Sequence, residues 1–328
     1  MHETWQNRAI KLYFQFKEIY MKDFIAISDY SSDEIKDLLD VAVKLKKEYF
    51  KKGNKKLLKG KVLGMIFQKP SLRTRVSFDM AMRHLGGDAL YLSPSEIGLG
   101  KRESIADVAR VLSGYVQGLM ARVFEHEHVL ELAKWSDVPV VNGLSDYNHP
   151  CQGMADALTI IENFGKKSKG LNISYVGDGN NVTVSLMHVS ALLGWNVTVG
   201  TPEGYDVNPA AVEIAKAIAV KTGSKLSFVR DVHEAVKGAH VIYTDTWTSM
   251  GQEEEAAKRE KVFPPYQVNA QLVSEADKDV IVMHCLPAHR NQELTDDVAD
   301  GEHSVIFQQA HNRLHAQKAI LARLFDVA

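Results

Sequence analysis

The chain has 328 residues, 45% of them hydrophobic and 24% charged, with a formal net charge of −2. That length suits roughly two ordinary domains, and the near-neutral balance excludes bulk attraction to nucleic acid or an anionic membrane. Only Cys151 and Cys285 are cysteines; they are too few for a disulfide framework and fit a reducing, cytoplasmic compartment.

The first twenty residues lack an apolar core and a small-residue cleavage site, so 1–20 is read as an N-terminal extension rather than a signal. No later apolar run approaches the ~20 residues a membrane helix needs. Ile35, Leu38, Leu39, Ala42 and Leu45 then fall at helical spacing, with the lysines from Lys44 to Lys61 on a solvated face and the following loop. Buried strands are predicted at Val62–Phe67, Ala89–Leu92, Leu119–Val123 and Val138–Val141. A second series is predicted at Ile173–Gly177, Asn196–Gly200, Leu226–Val229, Val241–Thr244 and Val280–His284. Helical patterns separate most of these strands, the signature of parallel sheets covered by helices. Cys151–Phe164 reads as one bridging helix, and a last helix runs from His311. The expected fold is therefore α/β, with two doubly wound parallel-sheet domains joined by bridging helices. The first takes residues 21–152 with the C-terminal helix 313–328, and the second takes 153–312.

The strongest local signal is Phe67-Gln-Lys-Pro-Ser71-Leu-Arg73-Thr74-Arg75, which follows a strand and opens a helix. Ser71 after Pro70 is a natural N-cap. Arg73 and Arg75 then lie in the first turn, where the helix dipole repels cations. An anion among the free backbone N–H groups relieves that repulsion. Guanidinium forks and the Ser71 and Thr74 hydroxyls suit phosphate oxygens. The competing reading is an exposed helix start whose arginines pair with nearby acids.

A nucleotide is disfavoured. No G-x-x-x-x-G-K-[S/T] run occurs, and Gly177-Asp-Gly179-Asn-Asn181 begins a dinucleotide fingerprint whose third glycine position holds Val182. An NAD-linked oxidoreductase is thus the rival from another class. His126 and His128 point to diverging helix faces, and His311 and His315 lack the Glu of a zincin helix. No metal and no cofactor are expected.

Further segments are Ala121-Arg122-Val123, His149-Pro150-Cys151-Gln152, Asp178-Gly-Asn-Asn181, Asp245-Thr-Trp-Thr-Ser249-Met250-Gly251 and His284-Cys285-Leu286-Pro287. In this order, with Ser71-x-Arg73-Thr74-Arg75 ahead of them, they resemble the aspartate/ornithine transcarbamylase family from about Met21 to the last helix. The DxxxSMG and HCLP pair resembles its ornithine carbamoyltransferase branch. The resemblance implies transfer of a carbamoyl group from carbamoyl phosphate to the side-chain amine of L-ornithine, giving L-citrulline and phosphate. Ser71, the Leu72 backbone N–H, Arg73 and Thr74 would hold the phosphate. Arg122 and His149 would contact the carbamoyl oxygen, and Gln152, Cys285, the Leu286 carbonyl and Arg313 would surround the carbamoyl group and its amide end. Asn181, Asp245, Ser249 and Met250 would bind ornithine, with Asp245 and Cys285 beside its reacting amine. Catalytic roles thus fall to Asp245, Cys285, Arg122 and His149. The family implies a homotrimer or a multiple of trimers.

Each residue has a plainer reading. Cys285 can be a small buried hydrophobe, and His149 a loop histidine before proline. The charged segment Gln252 to Tyr266 can be a solvated helix with i,i+4 pairs, or a lid hinged near Gly251. Leu72 stands where relatives often have Thr, Gln68 where they often have Glu, and Gly98 where they often present Gln or His to a neighbouring subunit. Rival amines are acetylornithine, putrescine and aspartate, and a non-catalytic binding homologue is a third possibility.

Overall fold

In the computed structural model, residues 23–248 and 253–327 are described. The expected extension 1–20, Ser249, Met250 and the hinge at Gly251 lie outside them. One compact unit runs to Leu158 and takes in the chain again from Asn312; the other is Thr159–His311.

The first unit opens with helix α1 (Ser32–Lys52). Its Ser31 cap and Glu34 bond reciprocally, the Glu34 N–H to Ser31 Oγ and the Ser31 N–H to Glu34 Oε2. Two orphan donors are thereby satisfied. Its buried residues are Ile35, Leu38, Leu39, Ala42 and Leu45, the stripe its periodicity marks. Not every lysine in this region is solvated: Lys46 donates to Asn312 Oδ1 at 2.7 Å, and Lys318 of the last helix donates to Asn54 Oδ1 at 2.8 Å.

Then follow β1 (Val62–Phe67), α2 (Leu72–His84), β2 (Asp88–Leu92), α3 (Ile105–Ser113), β3 (Gly118–Arg122), α4 (His126–Trp135) and β4 (Val140–Leu144). The four strands form one parallel sheet in the order β2-β1-β3-β4. Leu63, Met65, Ile66 and Phe67 of β1 are all buried. Each contributes about 1.5–3 kcal/mol by burial, which explains the unbroken apolar run of this inner strand. Strand β4 starts two positions later than Val138, because Pro139 has no N–H for the ladder and Ser136 Oγ ties up both polar groups of Val138. Phe24 pairs with Val141 along β4.

Helix α5 (Pro150–Phe164) carries the chain into the second unit. There β5 (Asn172–Val176), α6 (Asn181–Leu192), β6 (Asn196–Gly200), α7 (Pro209–Thr222), β7 (Leu226–Val229), α8 (Val232–Val236), β8 (Val241–Thr244), α9 (Ala256–Val262) and β9 (Ile281–His284) follow. This sheet is also parallel, in the order β7-β6-β5-β8-β9. The predicted doubly wound fold is observed in both units. Helix α10 (Ile306–Leu324) begins five residues before the expected His311. Its first turn hides from periodicity because Phe307 is exposed while Gln309 is buried. No described helix is long and apolar enough to cross a membrane.

Val182 through Leu192 of α6 are buried on every side. His188 lies in this run, its Nε2 donating to the Ala211 carbonyl of α7 at 3.0 Å. Burial lowers its pKa from 6.5 to about 4. Above pH 6.5 both folded and unfolded states carry a neutral ring; between 6.5 and about 4 only the unfolded chain binds the proton, so stability falls as pH falls. The full loss from this one group is on the order of 3 kcal/mol. His188→Gln is therefore expected to be less stable at pH 7 yet to lose less stability on acidification. Urea unfolding at pH 7, 6 and 5 reads the slope, and an unaltered slope would refute the assignment.

Candidate active site

In a parallel sheet every strand delivers its carboxyl end to the same edge, and ligands collect where the strand order reverses. The reversal in the first unit lies between β1 and β3. The turn after β1 becomes the N-terminus of α2, where Ser71 is the observed N-cap, its Oγ accepting from the Thr74 N–H at 3.4 Å. Thr74 is fully buried, and its Oγ1 accepts from Arg313 Nη2 of α10 at 3.0 Å and from Arg122 Nη1, at the end of β3, at 3.5 Å. With both lone pairs engaged, the hydroxyl proton is left to donate elsewhere. Arg73 sits half-buried one residue before it, whereas Leu72 is 75% exposed. Arg75 turns away and stacks 4.0 Å from the Tyr91 ring, which relieves its place in a first turn.

His149, just past β4, is buried beside these cations. Burial first, then Arg313, Arg122 and Lys69, hold its pKa well below the usual imidazole value. The ring is neutral at pH 7 and keeps one N–H to donate. Gln152 lies on the first turn of α5, fully buried, with Nε2 donating to Asp156 Oδ1 at 2.8 Å. Cys151 between them is structural: its thiol donates to the Asn142 carbonyl at 3.4 Å, and burial pushes its pKa up to about 12. Ser71, Arg73, Thr74, Arg122, His149, Gln152 and Arg313 all belong to the first unit, and Thr74, Arg122 and Arg313 meet directly.

Two departures from the family pattern acquire reasons. Gln68 donates to the Leu99 carbonyl at 3.2 Å and accepts from the Phe124 N–H at 2.9 Å, which an ionised carboxylate could not do on both sides. Gly98 has φ 51°, and a Cβ there would lie 2.9 Å from Arg102 Cβ, so a side chain at this position would be strained and crowded.

In the second unit the reversal lies between β5 and β8. Asp245 follows β8, buried, with Oδ2 accepting from Asn180 Nδ2 at 2.8 Å and Oδ1 accepting from the Cys285 thiol at 3.0 Å. Asn180 stands in the Asp178-Gly-Asn-Asn181 segment, where only Asn181 was expected to act, by binding ornithine. It caps α6: its Oδ1 accepts from the Val182 and Thr183 N–H groups, which forces Nδ2 toward Asp245. Its signal was an Asn immediately before an apolar helix. Asn181 opens α6 beside it, half-buried.

Asp245, His284 and Cys285 offer ligand atoms within 4.8 Å of one another. Both ring nitrogens of His284 are committed, however. Nδ1 accepts from the Leu286 N–H at 2.9 Å, which leaves Nε2–H to donate to Glu293 Oε1 at 3.1 Å. A cation there would have to displace one of these bonds. The pair instead fixes the Cys285-Leu286 turn, where Leu286 has φ 60°. The dinucleotide likeness also has a local explanation. A Cβ on Gly179 would meet the Asp206–Val207 backbone at 2.4 Å, so this glycine serves close packing within the chain.

The charged segment after Gln252 is not merely solvated. Arg259 of α9 is buried, its Nη1 donating to Asp178 Oδ2 at 2.7 Å and to the Trp247 carbonyl at 2.8 Å, while Phe263 and Tyr266 enter the core. Burial raises the Asp178 pKa in spite of Arg259.

Two doubly wound units, one gathering cations and neutral donors and the other a buried carboxylate beside a thiol, are the parts of a group-transfer enzyme. The chain belongs to the aspartate/ornithine carbamoyltransferase family: residues 22–162 match its carbamoyl-P binding domain and residues 169–324 its Asp/Orn binding domain. It is 53% identical to the anabolic ornithine carbamoyltransferase of Pyrococcus furiosus over 92% of this chain and 95% of that one. It is 51% identical to the ornithine carbamoyltransferase of Bacillus subtilis over 92% of this chain and 93% of that one. The solved Pyrococcus furiosus ornithine carbamoyltransferase superposes with a TM-score of 0.88 at 52% identity, covering 92% of this chain and 96% of its own. That of Campylobacter jejuni superposes at 0.89 and 39% identity, covering 93% and 99%.

Breaking a buried ion pair from one side costs more than the pair contributes, because the partner is left charged and unpaired. Arg259→Leu is expected to lose about 3 kcal/mol in urea unfolding, and adding Asp178→Asn should recover part of it. A single variant as stable as the parent would show that the pair does not anchor this segment.

Proposed function

We propose that this chain is an ornithine carbamoyltransferase, moving the carbamoyl group of carbamoyl phosphate to the side-chain amine of L-ornithine to give L-citrulline and phosphate. The observation that carries the reading is Asp245, a buried carboxylate aimed by Asn180 and touched by the Cys285 thiol. Such a group suits an amine that arrives as a cation, and the amine of ornithine, with a pKa of roughly 10.4 like that of lysine, is protonated at pH 7. Asp245 orients that amine, and Cys285 helps move the proton it must lose before it attacks. Asn181, Ser249 and Met250 hold the remainder of ornithine.

In the first unit the α2 N-terminus, Ser71, the Leu72 N–H, Arg73 and Thr74 take the phosphate. Arg122 and neutral His149 aim donors at the carbamoyl oxygen, where negative charge develops on attack, a large term in acyl-transfer catalysis. Gln152, Arg313 and the Leu286 carbonyl take the amide end, with Cys285 near it. Departing phosphate carries off the proton. The relatives that bear this name support the substrate pair, and one of them is anabolic, which supports a biosynthetic direction.

The assembly is a homotrimer or a multiple of it. Leu72, Val76 and Met80 make an exposed apolar stripe along α2, the kind of surface a second copy would cover. Two buried free thiols support a cytoplasmic location.

Carbamoyl transfer from carbamoyl phosphate, read as release of phosphate together with the carbamoylated amine, is expected with L-ornithine (giving citrulline) and not with acetylornithine, putrescine or aspartate. Asp245→Asn should lower kcat/KM for ornithine by about 10²- to 10⁴-fold while leaving inhibition by inorganic phosphate unchanged, and Cys285→Ala should lower it less. Preference for another amine would overturn the ornithine assignment. Sedimentation at one chain mass would overturn the trimer.

A further inference from the structure

Gln152 and Asp156 are four residues apart on α5 and therefore lie on one face of the helix. Both are fully buried, and the Gln152 amide nitrogen donates to Asp156 Oδ1 at 2.8 Å. The same bond therefore fixes the other end of the amide. Gln152 Oε1 is buried and accepts no hydrogen bond from the described residues, which is unfavourable unless a donor arrives.

We infer that Asp156 is a specificity-determining positioning residue, which locks the Gln152 amide so that its oxygen selects a ligand bearing an N–H donor. This rests on the proposed carbamoyl phosphate site. Carbamoyl phosphate places an NH2 group beside its carbonyl. Phosphonoacetate carries a phosphonate, joined through CH2, in place of the phosphate, keeps the carbonyl, and puts a second acceptor oxygen where that NH2 stands. An amide held by Asp156 meets the first with N–H···O and the second with oxygen against oxygen. Asp156 touches no substrate atom in this account and acts through Gln152.

Asp156→Asn replaces the carboxyl that accepts from Gln152 with an amide that pairs with Gln152 in either orientation. The ligand then chooses which end of Gln152 it meets. Inhibition by phosphonoacetate, competing with carbamoyl phosphate, is expected to tighten about ten-fold, the equivalent of one buried hydrogen bond. KM for carbamoyl phosphate should rise less than about three-fold and inhibition by inorganic phosphate should not move. A gain of affinity for one analogue is a result that general damage to the helix does not produce. Parallel weakening toward all three ligands, or unchanged phosphonoacetate inhibition, would overturn the inference. Should Asp156→Asn fail to fold, Asp156→Ser carries the same test, because a hydroxyl also both donates and accepts. If the parent enzyme forms no citrulline, the failure lies in the proposed function; if it does and phosphonoacetate affinity stays constant in the variant, only the role of Asp156 fails.

Discussion

Parallel pairing of Val62–Phe67 with Gly118–Arg122, and of Asn172–Val176 with Val241–Thr244, is the constraint on which the rest depends. Strands that run the same way must be joined by crossovers, and every strand then leaves its carboxyl end on one edge. That edge receives the α2 N-terminus and Arg122 in the first unit, and Asn180, Asp245 and Cys285 in the second. Residues as distant in sequence as Asn180 and Asp245 come within 2.8 Å because their strands are neighbours in the sheet. The apolar cost of building inner strands is low, since both faces are covered and each buried side chain adds stability.

Within each unit, direction is set by groups that can act in only one sense. Backbone N–H groups of α6 demand the oxygen of Asn180, so its nitrogen faces Asp245. Asp156 Oδ1 takes the nitrogen of Gln152. The Leu286 N–H demands the lone pair of His284 Nδ1, so its other nitrogen carries the proton toward Glu293. Amides and imidazoles are ambiguous alone, and a neighbour with a single hydrogen-bonding role removes the ambiguity. Preorganisation of this kind lowers the rearrangement required when charge develops on a ligand.

The departures from the family pattern are backbone and hydrogen-bonding facts before they are functional ones. Gly98 occupies a left-handed conformation with Arg102 against it, and Gln68 joins two loops by donating to one and accepting from the other. Gly179 likewise answers to the Asp206–Val207 backbone, which removes the reason to read a nucleotide fingerprint there. Arg259 is the opposite case, a charge in a charged segment that looked solvated and instead pairs with Asp178 inside the second unit.

Fold class and strand positions were legible from the residues because buried parallel strands are unbroken apolar runs, and Val62–Phe67, Asn196–Gly200 and Val241–Thr244 read true to their ends. The Ser71 cap was legible because capping is a local event decided within four residues. The motif order carried the family. Tertiary structure alone decided that Asn180 is the neighbour that aims Asp245, that Arg75 stacks on Tyr91 while Arg313 reaches Thr74, and that Arg259 is buried. Those outcomes depend on contacts between positions up to 239 apart. A sequence specifies which groups can donate, accept or carry charge, but which of them meet is settled only when the sheets and helices bring them together.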